Sequence, residues 1–432
     1  MSTETRPAMK QVKTSSSIRW THITTTLVIS WVIGMMDKIS VGVVMADKGF
    51  LEDTALLGQP GRLGLLTTAM LVAYAAGMPA WGALVTKWGA RTSLVVGMAI
   101  WALAIFMFGV SSSFESLLVW RVVLGFGEAV LYPVCNTFVY NWFPDKERAR
   151  ASSVWYSGTM IGPAIAGFAL AGIITAFDWR ASFYILTVAT VLICIPMAFF
   201  LTRNKPAEHP SVSDEELAYI DFGRPAENTT SRTSQDTDDG PKYAFIKDYR
   251  FWMITLAFLF NNFFFWGWST WLPSYLHQAR GVPMQSMGNI TSLIYACTLI
   301  TIYGSGYLSD KLMRRAPFGA AGFLLAAGCV FLAINTASLP TTIIFLVGAL
   351  MFQAVGMLMI QTLLQQTVNN STIGRAAGIM NLVSQGLSTL SPFIVGILIG
   401  SSGGSYLPSF SFMAVCLAIA AAFIAVLIPQ KY

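Results

Sequence analysis

The sequence predicts an all-α polytopic membrane protein, with twelve transmembrane helices in two six-helix halves. Three observations carry that expectation. The 432 residues are 55% hydrophobic and only 11% charged, where an average soluble domain is about 25% charged. Apolar runs recur along the chain, each long enough to cross ~30 Å of hydrocarbon as a helix. A polar, proline-containing segment over 203–248 divides these runs six and six.

The runs are bounded by charges, Pro or Gly and fall at 20–46, 62–85, 92–110, 115–141, 149–176, 180–202, 249–278, 285–308, 317–336, 340–368, 375–400 and 406–428. Lipid offers the backbone no hydrogen bonds, so helices must do the spanning. With the N-terminus inside, the inner segments hold Arg6, Lys10, Lys13, Arg19, Lys87, Arg91, Lys146, Arg148, Arg150, Lys311, Arg314, Arg315 and Arg375. The outer loops then hold only Lys48, Arg62, Arg180 and Arg280. Positive charge is retained on the cytoplasmic side. Tails at 1–19 and 429–432 are therefore expected in the cytoplasm, flanking bundles at 20–202 and 249–428, in a cytoplasmic (inner) membrane. The net charge of +6 is spread over short loops, so it reads as an orientation signal and not as a nucleic-acid footprint.

The segment Met1 to Arg19 lacks the short apolar core and cleavage site of a signal peptide, so the first span is expected to be retained. The central segment carries Pro206, Pro210, Pro225 and Pro241, a short acidic amphipathic piece from Asp214 to Ile220, and a Ser/Thr/Asp stretch over 228–240. It reads as a cytoplasmic linker, partly disordered, with one surface helix. The five cysteines sit in apolar runs without paired spacing and read as small buried hydrophobes. Three scattered histidines form no ligand cluster. No metal or cofactor is expected.

Four ionisable residues cannot be placed in a loop or at a membrane surface: Asp37, Lys38, Arg121 and Glu128. A charge at the bilayer centre costs about 2.5 kcal/mol or more, so it is rarely there without partners and a role. Asp37 and Lys38 are adjacent and point about 100° apart on a helix. Arg121 lies about two turns from Glu128 on one face, too far for contact without a third group. The four fit a network of Asp37 with Arg121 or Lys38, and Glu128 beside a pathway. Static salt bridges between two helices are the plainer reading, but buried ion pairs stabilise poorly compared with apolar packing.

The halves also repeat. Gly82-Ala-Leu-Val-Thr-Lys-Trp-Gly-Ala-Arg91 is echoed by Gly306-Tyr-Leu-Ser-Asp-Lys-Leu-Met-Arg-Arg315, and Arg150-Ala151 by Arg375-Ala376, at offsets of 224 and 225 residues. Two related halves around a central site is a transporter architecture. The same offset sets Asn261 and Asn262 opposite Asp37 and Lys38. Proton coupling is thus expected in the first half, while the second shapes the substrate through neutral groups: Asn261, Asn262, Trp266, Tyr295, Gln361, Asn381 and Gln385. Each is equally readable as an interhelical hydrogen bond.

The loop from Gly82 to Arg91 resembles the loop motif of the major facilitator superfamily. Arg121-Val-Val-Leu-Gly-Phe-Gly-Glu128-Ala-Val-Leu-Tyr-Pro133, Trp142-Phe-Pro-Asp-Lys-Glu-Arg148 and Asp178-Trp-Arg180 resemble its anion:cation symporter family. That group includes bacterial galactonate, glucarate and hexuronate transporters and the animal vesicular glutamate transporters and sialin. The resemblance implies the major facilitator fold, and import of a small organic carboxylate with protons by alternating access. It implies proton-titrating roles for Asp37 and Glu128, with Arg121 as the accompanying arginine. Lys38 sits where many members grip the substrate carboxylate with arginine, and Tyr74 and Asn381 match substrate contacts.

Departures from the family's pattern bear on the substrate. Lys38 offers a point charge where arginine would give a bidentate clamp. Met35, Thr159 and Thr362 replace a tyrosine, a glutamine and a tryptophan of the galactonate carrier, so a less hydroxylated or aromatic monocarboxylate stands beside a sugar acid. Thr159, Gln361, Asn261 and Trp266 complete the expected substrate set. Lys87, Arg91, Asp310 and Arg314 are the expected conformational gate. Gly158-Thr-Met-Ile-Gly162-Pro163 resembles a motif of proton-coupled antiporters, with close helix packing as the plainer reading. The expectation is a monomeric proton-coupled symporter, not an enzyme, with organic anion, protons and lipid as partners. Its rivals are a proton-coupled antiporter or exporter of small organic molecules, an uncoupled facilitator and a transporter-like nutrient receptor.

Overall fold

The computed structural model describes residues 17–222, 244–312, 315–368 and 372–430, nearly all of them helical. The long helices are α1 (Arg19–Val44), α2 (Pro60–Trp88), α3 (Ala90–Val110), α4 (Phe114–Trp142), α5 (Asp145–Ala176), α6 (Trp179–Leu201), α7 (Tyr249–Ala279), α8 (Met284–Leu312), α9 (Arg315–Asn335), α10 (Leu339–Thr367), α11 (Ile373–Ser401) and α12 (Leu407–Ala425). Among the described residues, eleven of these helices, all but α8, are long and apolar enough to cross a membrane. The expected span 285–308 falls within α8, which is as long as α2 and α10.

Local chemistry sets several boundaries. Asp178 accepts a hydrogen bond from the Ala181 N–H and so starts α6, satisfying one of the unpaired donors of a helix N-terminus. Gly89, with φ of 81°, turns the chain between α2 and α3, a conformation that costs an L side chain energy. Helix α4 is interrupted at Ala129–Val130, directly after Glu128. Pro133 has no N–H to donate to Ala129, and its ring displaces that carbonyl. The break leaves Glu128 as the last residue of a helical segment.

The halves α1–α6 and α7–α12 meet through three crossings: α1 with α7, α2 with α11 and α5 with α8. At the end away from the linker they touch backbone to backbone. A Cβ added at Gly64 would lie 2.2 Å from the Pro392 carbonyl, at Gly396 2.4 Å from that of Pro60, and at Gly288 2.3 Å from that of Gly167. Gln278 adds a bridge between the halves, donating to the Met45 carbonyl at 3.1 Å while Tyr406 Oη donates to its Oε1 at 3.1 Å. Toward the linker end, added Cβ atoms at Gly82, Gly304, Gly374 and Gly378 would meet nothing within 4 Å. Among the described residues, the backbone-to-backbone contacts between the halves lie at the end away from the linker.

The acidic piece of the linker is a helix, Asp214–Phe222, but it is not a free surface helix. Glu216 is 3% exposed. Its carboxylate accepts from Ser17 Oγ (2.6 Å), the Ile18 N–H (3.1 Å) and Arg19 Nη1 (2.8 Å). It therefore caps the start of α1 from outside, where unpaired N–H groups and the helix dipole favour an anion. Arg19 in turn binds Glu147 on the first turn of α5 at 2.9 Å, and Tyr219 Oη donates to Glu147 at 3.0 Å. The linker helix is thus fastened to the first half. Glu216→Ala should lower the unfolding midpoint in detergent by the loss of about 2 kcal/mol, and Glu216→Gln by less, since an amide oxygen still accepts from the N–H groups. An unshifted midpoint in the alanine variant would show that the cap does not hold α1. The Ser/Thr/Asp stretch over 228–240 lies outside the described residues.

Candidate functional site

Asp37 and Lys38 lie deep in α1, which packs against α5 and α7 and so buries both. Asp37 is fully buried and Lys38 is 8% exposed. The Lys38 ammonium stands 3.2 Å from Glu128 Oε2, as an ion pair. It also lies over the ring of Tyr74, 4.2 Å from the centroid, and 5.8 Å from that of Trp31. Lysine over a tyrosine face gains a cation–π attraction that strengthens as water is excluded.

Asp37 is within electrostatic reach of Arg121, Glu128, Lys38 and Trp101. Ser40 donates to its backbone carbonyl at 2.7 Å and lies 3.4 Å from Oδ1. Asp37 and Glu128 approach each other closely, with Trp101 beside Asp37 and Lys38 on Glu128, but their carboxylates meet few partners in good hydrogen-bond geometry among the described residues. Arg121 is 1% exposed, with its guanidinium carbon over the Phe108 ring, 4.5 Å from the centroid. Its Nε and Nη2 are likewise without hydrogen-bond partners among the described residues. Two carboxylates and two cations are therefore buried together, balanced in charge but poorly hydrogen-bonded. A structural salt bridge offsets desolvation by satisfying its lone pairs and protons. This cluster satisfies them only in part.

The second half presents neutral polar groups. Asn261 is almost completely buried, accepting from Gln353 Nε2 at 2.6 Å and donating to Asn262 Oδ1 at 3.3 Å. It ties α7 to α10. Trp266 Nε1 donates to Gln385 Oε1 at 3.3 Å, and Asn381 donates to the Ala377 carbonyl one turn back on α11. Gln361, on α10, is half-buried.

Residues 26–392 match the family model described as Major Facilitator Superfamily. The chain belongs to that superfamily. Among relatives, it is 24% identical over 399 residues to the hexuronate transporter of Bacillus subtilis, covering 87% of each chain. It is 27% identical to the probable sulfoacetate transporter of Cupriavidus necator, covering 88% of this chain and 87% of that one. The probable galactarate/D-glucarate transporter of Escherichia coli is 26% identical over 74% of this chain and 75% of its own. Among solved structures, a bacterial homologue of the human lysosomal transporter Spinster, inward-facing and occupied, superposes with a TM-score of 0.77 at 20% identity, over 97% of this chain and 98% of that one. The D-xylose-proton symporter gives 0.76 at 12% identity, over 96% and 99% of the two chains. These likenesses show a multi-pass membrane transporter fold, not an enzyme fold.

As a major facilitator, the chain brings together Asp37, Lys38, Arg121, Glu128 and Tyr74. The sequence set Glu128 apart from the cations, beside a pathway; the geometry sets the Lys38 ammonium on Glu128 and over the Tyr74 ring. Thr159 spends its hydroxyl proton on the Tyr156 carbonyl at 2.8 Å. At the linker end, Arg91 reaches within its own half, donating to the Phe199 carbonyl at 2.6 Å, and Lys87 is exposed. Arg314 and the side chain of Asp310 lie outside the described residues. Sequence reasoning missed Tyr132, Tyr156 and Gln353. Tyr156 lies one turn before Thr159 on α5, a spacing that places both on one face and was the available signal for it.

Proposed function

We propose that this superfamily member is a proton-coupled symporter that imports a small organic carboxylate by alternating access across a cytoplasmic membrane. Both termini then lie in the cytoplasm, the linker end is the cytoplasmic end, and the conformation described is inward-open. The Lys38–Glu128 pair carries the reading. It is a buried ion pair whose carboxylate an incoming anion can replace.

An incoming carboxylate competes with Glu128 for the Lys38 ammonium. Deprived of its cation, a carboxylate in a low-dielectric site takes up a proton rather than remain charged. Substrate and proton thereby favour each other's binding, and the coupling is reciprocal by thermodynamic necessity. Asp37 and Arg121 extend the same network on the other side of α1. The relatives named as transporters of hexuronate, galactarate/D-glucarate and sulfoacetate support an anionic substrate of small size.

The test is uptake into proteoliposomes under an imposed inward proton gradient, with a panel of carboxylates. Uptake should rise with the gradient, and a protonophore should abolish the rise. Gradient-insensitive uptake would identify a facilitator, and uptake that the gradient opposes would identify an antiporter. Lys38→Ala should abolish substrate-induced thermal stabilisation, and binding retained in that variant would remove lysine from the site.

A further inference from the structure

Resting on that reading, we infer that Tyr156 is a specificity-determining residue, and that with Tyr132 it selects a carboxylate on a flat, aromatic body over a polyhydroxylated one. Tyr156 is 48% exposed and Tyr132 44% exposed. A tyrosine on a transmembrane helix can owe such exposure to lipid or to an internal cavity, and the neighbours decide. The Tyr156 ring lies 5.6 Å from Trp155 on its own helix and 6.5 Å from Trp31 on α1. Its phenol is within electrostatic reach of those of Tyr132 on α4 and Tyr74 on α2. Groups from α1, α2 and α4 converging on one α5 side chain place it on the inner wall of the first half. Trp31 is shared with the charged cluster, since the Lys38 ammonium is 5.8 Å from its ring. Trp31, itself 4% exposed, thus backs the space between Lys38 and Tyr156.

The chain geometry holds this wall in place. Helix α5 is interrupted at Ser157, directly after Tyr156. The Thr159 hydroxyl is bonded to the Tyr156 carbonyl within this broken turn. Trp31 and Trp155 pack at 4.7 Å, and Tyr132 stands edge-on to Trp155 at 6.0 Å.

The polar groups nearby are the wrong kind for a sugar. A polyol needs donors and acceptors in number, and each substrate hydroxyl buried without a partner costs about 1–3 kcal/mol. The Thr159 hydroxyl and the Trp266 Nε1–H are spent on protein acceptors, and Asn381 commits one of its two amide protons. Among the described residues the Tyr132 and Tyr156 hydroxyls have no hydrogen-bond partner, and their half-exposed rings are the apolar surface this wall offers a ligand body. A flat ring gains about 0.5–1.5 kcal/mol from stacking or edge contact beyond its area burial.

The experiment compares benzoate and D-gluconate, two monocarboxylates that differ in body, by ligand-induced thermal shift and by competition in proteoliposomes. The full-length protein should bind benzoate at least tenfold more tightly. Tyr156→Ala should lose benzoate affinity about tenfold more than gluconate affinity, while Tyr156→Phe, which keeps the ring, should retain the preference. A native-like size-exclusion profile shows that the variants fold. Wild-type protein that binds gluconate as tightly or binds neither acid, or a Tyr156→Ala variant with an unchanged preference, overturns the inference. Undiminished binding of both acids by Lys38→Ala would instead overturn the carboxylate reading on which it rests.

Discussion

Glu128→Gln is expected to abolish proton-driven uptake and to leave substrate exchange across the membrane largely intact. Glutamine has nearly the shape of a protonated glutamate and no proton to release. The variant therefore mimics the loaded carboxylate permanently and frees Lys38 for substrate. Exchange needs only that the substrate-loaded carrier reorient. Net uptake also needs the empty carrier to return, which requires Glu128 to give up its proton and recapture Lys38. Asp37→Asn removes the charge nearest Arg121 and leaves that guanidinium buried without full compensation, a defect of about 3–5 kcal/mol in comparable buried pairs. It should abolish gradient-driven uptake and also lower the yield of folded protein. Counterflow of labelled substrate in proteoliposomes separates the two variants. Gradient-driven uptake at the wild-type rate in both would sink the coupling assignment.

A comparably large effect is expected from a wedge at the closed end. At Gly288 even a Cβ would lie 2.3 Å from the Gly167 carbonyl and 2.4 Å from the Ala171 Cβ. Gly288→Trp cannot be accommodated with α5 and α8 in this crossing, and Gly64→Trp cannot be with α2 against Pro392. An overpacking penalty of about 3 kcal/mol shifts a two-state equilibrium by roughly a hundredfold. The wedge destabilises only the conformation in which these backbones touch, so the population moves to the state open at the opposite end. Transport should stop. A cysteine at Ala171, fully buried in the crossing against Gly288, should react faster with a membrane-impermeant maleimide added outside. Unchanged labelling with normal transport would show that these crossings do not open during the cycle.

How much of this was legible in the sequence varies by residue. The length and composition of the apolar runs located the spans, because the bilayer imposes one requirement on every spanning segment: an apolar helix of sufficient length. The same requirement singled out Asp37, Lys38, Arg121 and Glu128, since a charge among apolar neighbours is conspicuous without coordinates. Neutral polar groups carry no such signal. Asn261 and Asn381 look alike in sequence, yet one is locked to Gln353 and the other bonds its own helix. Tyr156 was passed over because a tyrosine in a membrane helix is unremarkable until its neighbours are known. The acidic piece around Glu216 read as a surface helix, because nothing local shows that its partner is the start of α1 about 200 residues earlier.

The sequence by itself therefore determined the class of fold, the helix boundaries to within a few residues and the identity of the buried charges, all of which follow from transfer energies of single side chains. Only the tertiary structure decided which charge pairs with which, where the two halves touch, and which tyrosines stay exposed. Those depend on how α1 is rotated against α4 and how closely glycines let the two halves approach, and neither quantity is a property of any one segment.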